Sequence, residues 1–362
     1  MKSKIAVFHN YMDNIGGAEI VGLTLARELN ADFYSTNIDR EKIQKMGFSD
    51  ITLKSVGPIP IDAPYRQQMA LCRFRLLNLK GKYDYFIIDG DWAMSGSVNN
   101  KPNLWYVHSP IREIWDLYEY TRQNTVSFQN RLFFDLWVYY NRYLNRKFIK
   151  HVGKIACNSL NTQRRVEKYL KREATVIYPP TDTSQYYFGK SGDYWLSVNR
   201  LVSHKRVDTQ IEAFKMLPNE RLIIVGSYEQ SEHFRIYVDY IKSIQPKNVE
   251  ILHWVDKETL IDLYANCKGF ITTSKDEDFG MTPIEAMASG KPVIAPNEGG
   301  YKETVIDGLT GRLIDNINVY SLAEAIKEVG KNLLKFKSSC IDRAKQFDTA
   351  IFMAKVKALI NS

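Results

Sequence analysis

The chain has 362 residues, 44% hydrophobic and 25% charged, the proportions of a folded globular protein rather than a fibrous or disordered one. No apolar run approaches the roughly 18 residues needed to span a bilayer, which argues against a helical channel or transporter. The formal net charge of +8 calls for an anionic partner: a phosphorylated ligand, an anionic membrane surface or nucleic acid.

The opening MKSKIAVFHN enters a strand almost at once, so no signal peptide is expected. Cys72, Cys157, Cys267 and Cys340 are scattered without a CxxC pair. The expectation is reduced, buried thiols in a cytoplasmic protein, with no zinc site. Strand-like runs fall at 5–9, 32–36, 51–56, 83–89, 104–108, 154–158 and 175–178 in the first half. In the second half they fall at 194–199, 221–225, 249–253, 270–273, 293–295 and 311–313. KIAVF, YFII and RLIIV are nearly continuous apolar runs, as parallel strands covered on both faces require. Helical segments at 19–29, 162–170, 207–216, 257–265 and 321–331 separate them. Such βα alternation predicts two doubly wound α/β domains. Tyr178-Pro179-Pro180-Thr181-Asp182 forces extended backbone and marks the seam, dividing the chain into 1–180 and 181–345. The remaining segment, 346–362, has helical spacing of Phe352, Val356 and Leu359.

Six stretches carry chemistry. Between the first strand and helix, Gly16-Gly17 either brings backbone close to a ligand ahead of a phosphate-attracting helix start or makes a tight turn. It is not GxGxxG, which weighs against a dinucleotide cofactor. His108 ends a strand and precedes a Ser-Pro break, at the sheet edge where open α/β folds bind ligands; the alternative is a structural histidine. His9 also ends a strand but has no such context. Residues 128–150 interleave aromatic and basic side chains at helical spacing. Most of those aromatics are expected in the core, the alternative being an interfacial helix on anionic lipid. Arg66, Arg73, Arg75, Lys80 and Lys82 add positive charge to the same half. Arg200 and Lys205 follow the first strand of the second domain, suited to clamp a diphosphate unless they are simply a solvated loop.

The last stretch is 269–296, GFITTSKDEDFGMTPIEAMASGKPVIAP. A strand delivers an acidic loop with Glu277, then a helix with Thr282 expected as N-cap, Pro283 first and Glu285 closing a capping box. Gly290 stops it. The amides of Gly280, Met281 and Thr282 then favour an anion, and a neighbouring carboxylate suits sugar hydroxyls. No His, Cys, Asp and Glu cluster has metal-ligand spacing, so protein cations would meet any phosphate charge.

Taken together, the E-x7-E run from Glu277 to Glu285, the following EAMASGKPVIA, Gly299-Gly300-x2-Glu303, Gly16-Gly17, His108 and Arg200-x4-Lys205 resemble family 4 glycosyltransferases along nearly the whole chain. The resemblance implies the GT-B fold, two Rossmann-like domains facing across a cleft, with 346–362 crossing back to the first. It implies metal-independent, cofactor-free transfer from a nucleotide diphosphosugar with retention of configuration. Arg200 and Lys205 would hold the diphosphate and Gly16 and Gly17 would approach it. Glu277 with Phe279, Gly280, Met281 and Thr282 would hold the sugar, Glu285 the ribose, and His108 would stand at the reaction centre. The run from Tyr106 to Tyr118 resembles mannosyltransferases of polysaccharide and lipid-linked oligosaccharide assembly. The implied donor is GDP-mannose, with UDP-sugars second. The implied acceptor is a glycan or a polyprenyl-pyrophosphate-linked one, at the inner face of the membrane. A nucleotide-sugar epimerase or hydrolase and a basic RNA-binding protein are the competing readings; no RNA motif with stacking aromatics is evident, so no nucleic-acid partner is expected.

Overall fold

The computed structural model describes residues 3–227, 232–253 and 255–362. The chain divides into two compact units, Met1–Tyr178 with Met353–Ser362, and Pro179–Phe352. The break falls at the Tyr178-Pro179 junction. The last helix, Thr349–Asn361, starts in the second unit and ends in the first.

The first unit holds a seven-stranded sheet: β1 (Ile5–Tyr11), β2 (Asp32–Thr36), β3 (Leu53–Ser55), β4 (Tyr85–Ile88), β5 (Asn103–Val107), β6 (Lys154–Cys157) and β7 (Thr175–Val176), in the order β3-β2-β1-β4-β5-β6-β7. The second holds six: β8 (Tyr194–Arg200), β9 (Arg221–Ser227), β10 (Val249–Leu252), β11 (Phe270–Ile271), β12 (Val293–Pro296) and β13 (Gly311–Ile314), in the order β10-β9-β8-β11-β12-β13. The paired strands run parallel. All thirteen predicted strands are present, because parallel strands buried on both faces must be apolar nearly throughout. Ala6, Val7, Phe8, Phe86, Ile87 and Ile88 are fully buried in the first sheet, and Leu196, Phe270, Val293 and Ile294 in the second. Each such Val, Ile, Leu or Phe contributes about 1.5–3 kcal/mol of burial.

In both sheets the strand order reverses once, between β1 and β4 and between β8 and β11. At such a switch point the connecting segments leave in opposite directions, opening a crevice at the carboxyl edge of the strands. In each unit the candidate residues lie at that edge.

One expectation fails in the helix Arg131–Phe148. Its aromatics do not mostly enter the core: Phe148 is buried and Phe134 and Trp137 are partly so, while Phe133, Tyr139, Tyr140 and Tyr143 are exposed. The buried face is instead lined by Val138, Asn141, Leu144, Asn145 and Phe148. Arg66 is one of the cations that add charge to this half. It is buried, ion-paired with Asp13 and stacked 3.7 Å from the Tyr11 ring centroid. Of the cysteines, Cys157, Cys267 and Cys340 are buried and Cys72 is exposed.

Candidate functional site

In the second unit, β8 ends at Arg200, exposed at the strand tip, and the turn Ser203–Lys205 follows. β11 delivers the acidic loop beside it. Lys205 Nζ donates to Glu277 Oε2 at 2.5 Å, with both side chains largely shielded. Two hydrogen bonds to backbone carbonyls hold the loops in register: Thr273 Oγ1 donates to the Lys205 carbonyl at 2.7 Å, and the Lys275 amide to the His204 carbonyl at 2.8 Å. Arg206 donates to the Thr273 carbonyl and pairs with Glu298. On the far side the Gly300 amide donates to the Glu277 carbonyl at 2.7 Å. Gly299 has φ +58°, and a Cβ there would stand 2.5 Å from the same carbonyl, so only glycine lets this backbone close on the acidic loop. Burial alone would raise the Glu277 pKa. The charge and hydrogen bond of Lys205 overcome that and hold it well below 4.5.

The helix that follows corrects the expected capping box. It spans Met281–Ala288, and its N-cap is Gly280, left-handed at φ +90°, with no side-chain cap. Thr282 and Pro283 therefore sit at the second and third helical positions. Proline is tolerated there because its missing amide hydrogen would have no intrahelical acceptor. A Cβ on Gly280 would lie 2.7 Å from the Tyr301 ring, so this residue starts the helix early for both conformational and packing reasons. Glu285 lies beyond the cap, its Oε2 accepting from the Tyr264 hydroxyl at 2.7 Å, and burial raises its pKa despite that bond. The end is as expected. Gly290, at φ +68°, donates to the Met287 carbonyl, and Lys291 donates to the Ala286 carbonyl.

In the first unit, Gly16 is the N-cap of the helix Gly17–Leu29, and its amide donates to Glu19 Oε2 at 2.9 Å. That amide is committed within the protein. Those of Gly17 and Ala18, at the first two helical positions, have no intrahelical acceptor and are the ones suited to an anion. His108 follows β5, its carbonyl accepting from Asn158 Nδ2 at 2.7 Å and its Nε2 lying 2.8 Å from Asp89 Oδ1. Asp89 Oδ2 is also 2.8 Å from His9 Nδ1, and His9 Nε2 is 3.4 Å from Glu19 Oε1. His9, expected to lack supporting context, thus has two carboxylates around it. Burial by itself would lower its pKa; the hydrogen bonds and charges of Asp89 and Glu19 outweigh that and lift it from 6.5 to about 10. A signal was available in the sequence, since the apolar run YFII ends in Asp89 just as KIAVF ends in His9. Parallel pairing of Phe8 with Ile88 puts the two side by side.

Residues 182–347 match the family model for glycosyl transferases group 1. The match covers nearly all of the second unit, including the Lys205–Glu277 pair and the helix that Gly280 opens. An uncharacterized glycosyltransferase of Methanocaldococcus jannaschii, MJ1178, is 31% identical over 55% of this chain and 56% of its own length. The alpha-1,3/1,6-mannosyltransferase ALG2 of Candida glabrata is 26% identical over 84% of this chain and 78% of its own. The first of these matches therefore spans little more than half of the relative. Among solved structures, Anabaena Alr3699/HepE in complex with UDP and glucose superposes with a TM-score of 0.80 at 18% identity, over 99% of this chain and all of that one. Sucrose-phosphate synthase from Thermosynechococcus elongatus does so at 0.73 and 17%, over 99% of this chain and 98% of that one. The fold is GT-B, α/β with two Rossmann-like sheets.

Proposed function

We propose that this chain is a retaining glycosyltransferase that moves mannose from GDP-mannose to a glycan or polyprenyl-pyrophosphate-linked acceptor. The observation that carries the reading is the switch point of the group 1 unit, where Arg200, Lys205, Glu277 and the Gly280-opened helix start lie together on neighbouring β8 and β11. Arg200 and Lys205 take the diphosphate, and their charge replaces a metal ion as the leaving group departs. Lys205 has three donors, so it can keep Glu277 and still reach phosphate oxygens. Glu277 and the amides from Phe279 to Thr282 hold the sugar, and Glu285, oriented by Tyr264, the ribose. Within the first unit, His108 is assigned to a sugar hydroxyl and the amides beside Gly17 to phosphate. The leaving phosphate accepts the acceptor's proton in a same-face attack, so no nucleophilic carboxylate is needed.

Mannose is supported by the ALG2 relatives. A UDP-sugar reading is favoured by a different observation, the UDP and glucose bound to HepE. An anionic membrane surface is proposed as a further partner, since the helix Arg131–Phe148 turns Phe133, Tyr139, Tyr140 and Tyr143 outward; no helix among the described residues is long and apolar enough to cross a membrane.

Thermal stabilisation by GDP, UDP, ADP and their sugars separates these readings, because a ligand that binds only the folded state raises the melting temperature. GDP and GDP-mannose are expected to give the largest shift, and Lys205→Ala to abolish it. A larger shift with UDP would move the donor to a UDP-sugar; no shift with any nucleotide would sink the transferase.

A further inference from the structure

Asp89 is fully buried, and each of its oxygens is taken by one histidine. His9 is 3% exposed and has a carboxylate on each ring nitrogen, Asp89 at Nδ1 and Glu19 at Nε2. A ring placed this way donates from both nitrogens and carries the positive charge. A carboxylate facing two rings can only accept. The hydrogen on the Asp89–His108 contact then belongs to His108 Nε2, and a neutral ring holds its lone pair on Nδ1.

We propose that His9 is a positioning residue: through Asp89 it fixes His108 in the tautomer whose Nδ1 accepts a hydrogen bond from a hydroxyl of the bound sugar. The proposal rests on the assignment of His108 to the donor sugar. It makes His108 an acceptor rather than an acid, so the sugar must present a hydroxyl to it. Through Glu19 the same imidazolium also steadies the cap on Gly16, so one buried chain of side chains sets both the glycine loop and His108. Gly22 completes the arrangement. A Cβ on it would lie 2.4 Å from Asp89 Oδ2, so the absence of a side chain lets the helix Gly17–Leu29 cover the carboxylate.

The test is nitrogen NMR of the protein alone, labelled at its six histidines, with ring signals assigned by His9→Gln and His108→Gln. At neutral pH, His9 is expected with both ring nitrogens protonated and His108 with a hydrogen on Nε2; Asp89→Asn should redistribute the His108 hydrogen between the two nitrogens. A singly protonated His9, or a His108 tautomer that Asp89→Asn leaves unmoved, overturns the proposal. If His9→Gln fails to fold, Gly22→Ala displaces the Asp89 carboxylate without removing a titratable group. The His108 ring signals should then move, and unchanged signals count against the proposal. No ligand enters these measurements, so they succeed or fail independently of the donor's identity. With the donor in hand, His9→Gln should lower kcat on the order of 100-fold, as misplacing a reacting group does, with the donor KM little changed. An unchanged kcat refutes the positioning role.

Discussion

Lys205 and Glu277 neutralise each other across 2.5 Å, so neither can be altered without consequence for its partner. Lys205→Ala leaves a carboxylate only 19% exposed without its counter-charge, at a cost of about 1–3 kcal/mol. Urea unfolding at neutral pH measures that loss. The pH dependence has a definite sign. Glu277 has its pKa depressed below the ordinary 4.5, so its contribution is fully present above pH 4.5 and disappears as pH falls through the lowered value. Lys205→Ala should therefore flatten the acid limb of stability against pH. An acid limb as steep as the parent's would show that Lys205 is not what depresses the carboxylate. His9 gives the opposite sign. Its pKa is raised from 6.5 to about 10, so its contribution is whole below pH 6.5 and is lost as pH rises through about 10. His9→Gln should remove that alkaline decline, read as melting temperature across the same interval; a decline that persists in the variant would assign it to other groups.

At the scale of elements, the helix Met281–Ala288 shows how a single backbone angle moves a functional start. Gly280→Ala forces a side chain into φ +90° and against the Tyr301 ring, and should cost about 1–3 kcal/mol. It should also reduce stabilisation by nucleotide sugars, because the amides of the first turn shift. A variant with parental urea midpoint and parental nucleotide response would refute both points. Tyr264→Phe discriminates the expected from the observed geometry. In a capping box Glu285 would turn to the Thr282 amide and owe nothing to Tyr264, whereas here a buried carboxylate loses a donor, at a cost of about 1–3 kcal/mol in urea unfolding. The strands were legible because burial on both faces leaves an apolar run that composition alone reveals. The helix start was not, because Thr282-Pro283 with Glu285 satisfies the capping pattern equally well two residues too late, and only the positive φ of Gly280 decides. Arg200, Lys205 and Glu277 could be named as candidates, but not the bond between the last two, which depends on β8 and β11 being neighbours. The His9–Asp89–His108 chain was missed for the same reason: its members are far apart in sequence and meet through strand pairing.

For the whole molecule, the net charge of +8 and the outward face of the helix Arg131–Phe148 point to one kind of surface. Leu132, Leu136, Tyr139 and Tyr143 follow one another at helical spacing and are 67%, 59%, 78% and 58% exposed. Arg146, Lys147 and Lys150, also exposed, continue the line beyond them. An apolar and tyrosine-rich stripe ending in cations suits the interface of an anionic bilayer, where rings enter the headgroup level and cations meet lipid phosphates. A protein core would have no use for those cations, and solvent none for the rings. The parent protein should co-sediment with anionic vesicles and be released as salt screens the attraction. Replacing Leu132, Leu136 and Tyr139 together by serine should abolish co-sedimentation while leaving the urea midpoint within about 0.5 kcal/mol per site, because these side chains lie outside the core. Equal binding to neutral vesicles would remove the role of Arg146, Lys147 and Lys150. Binding that survives the triple substitution would remove the helix from the interface. Loss of self-association in sedimentation equilibrium, with vesicle binding intact, would reassign the stripe to contact between copies of the chain.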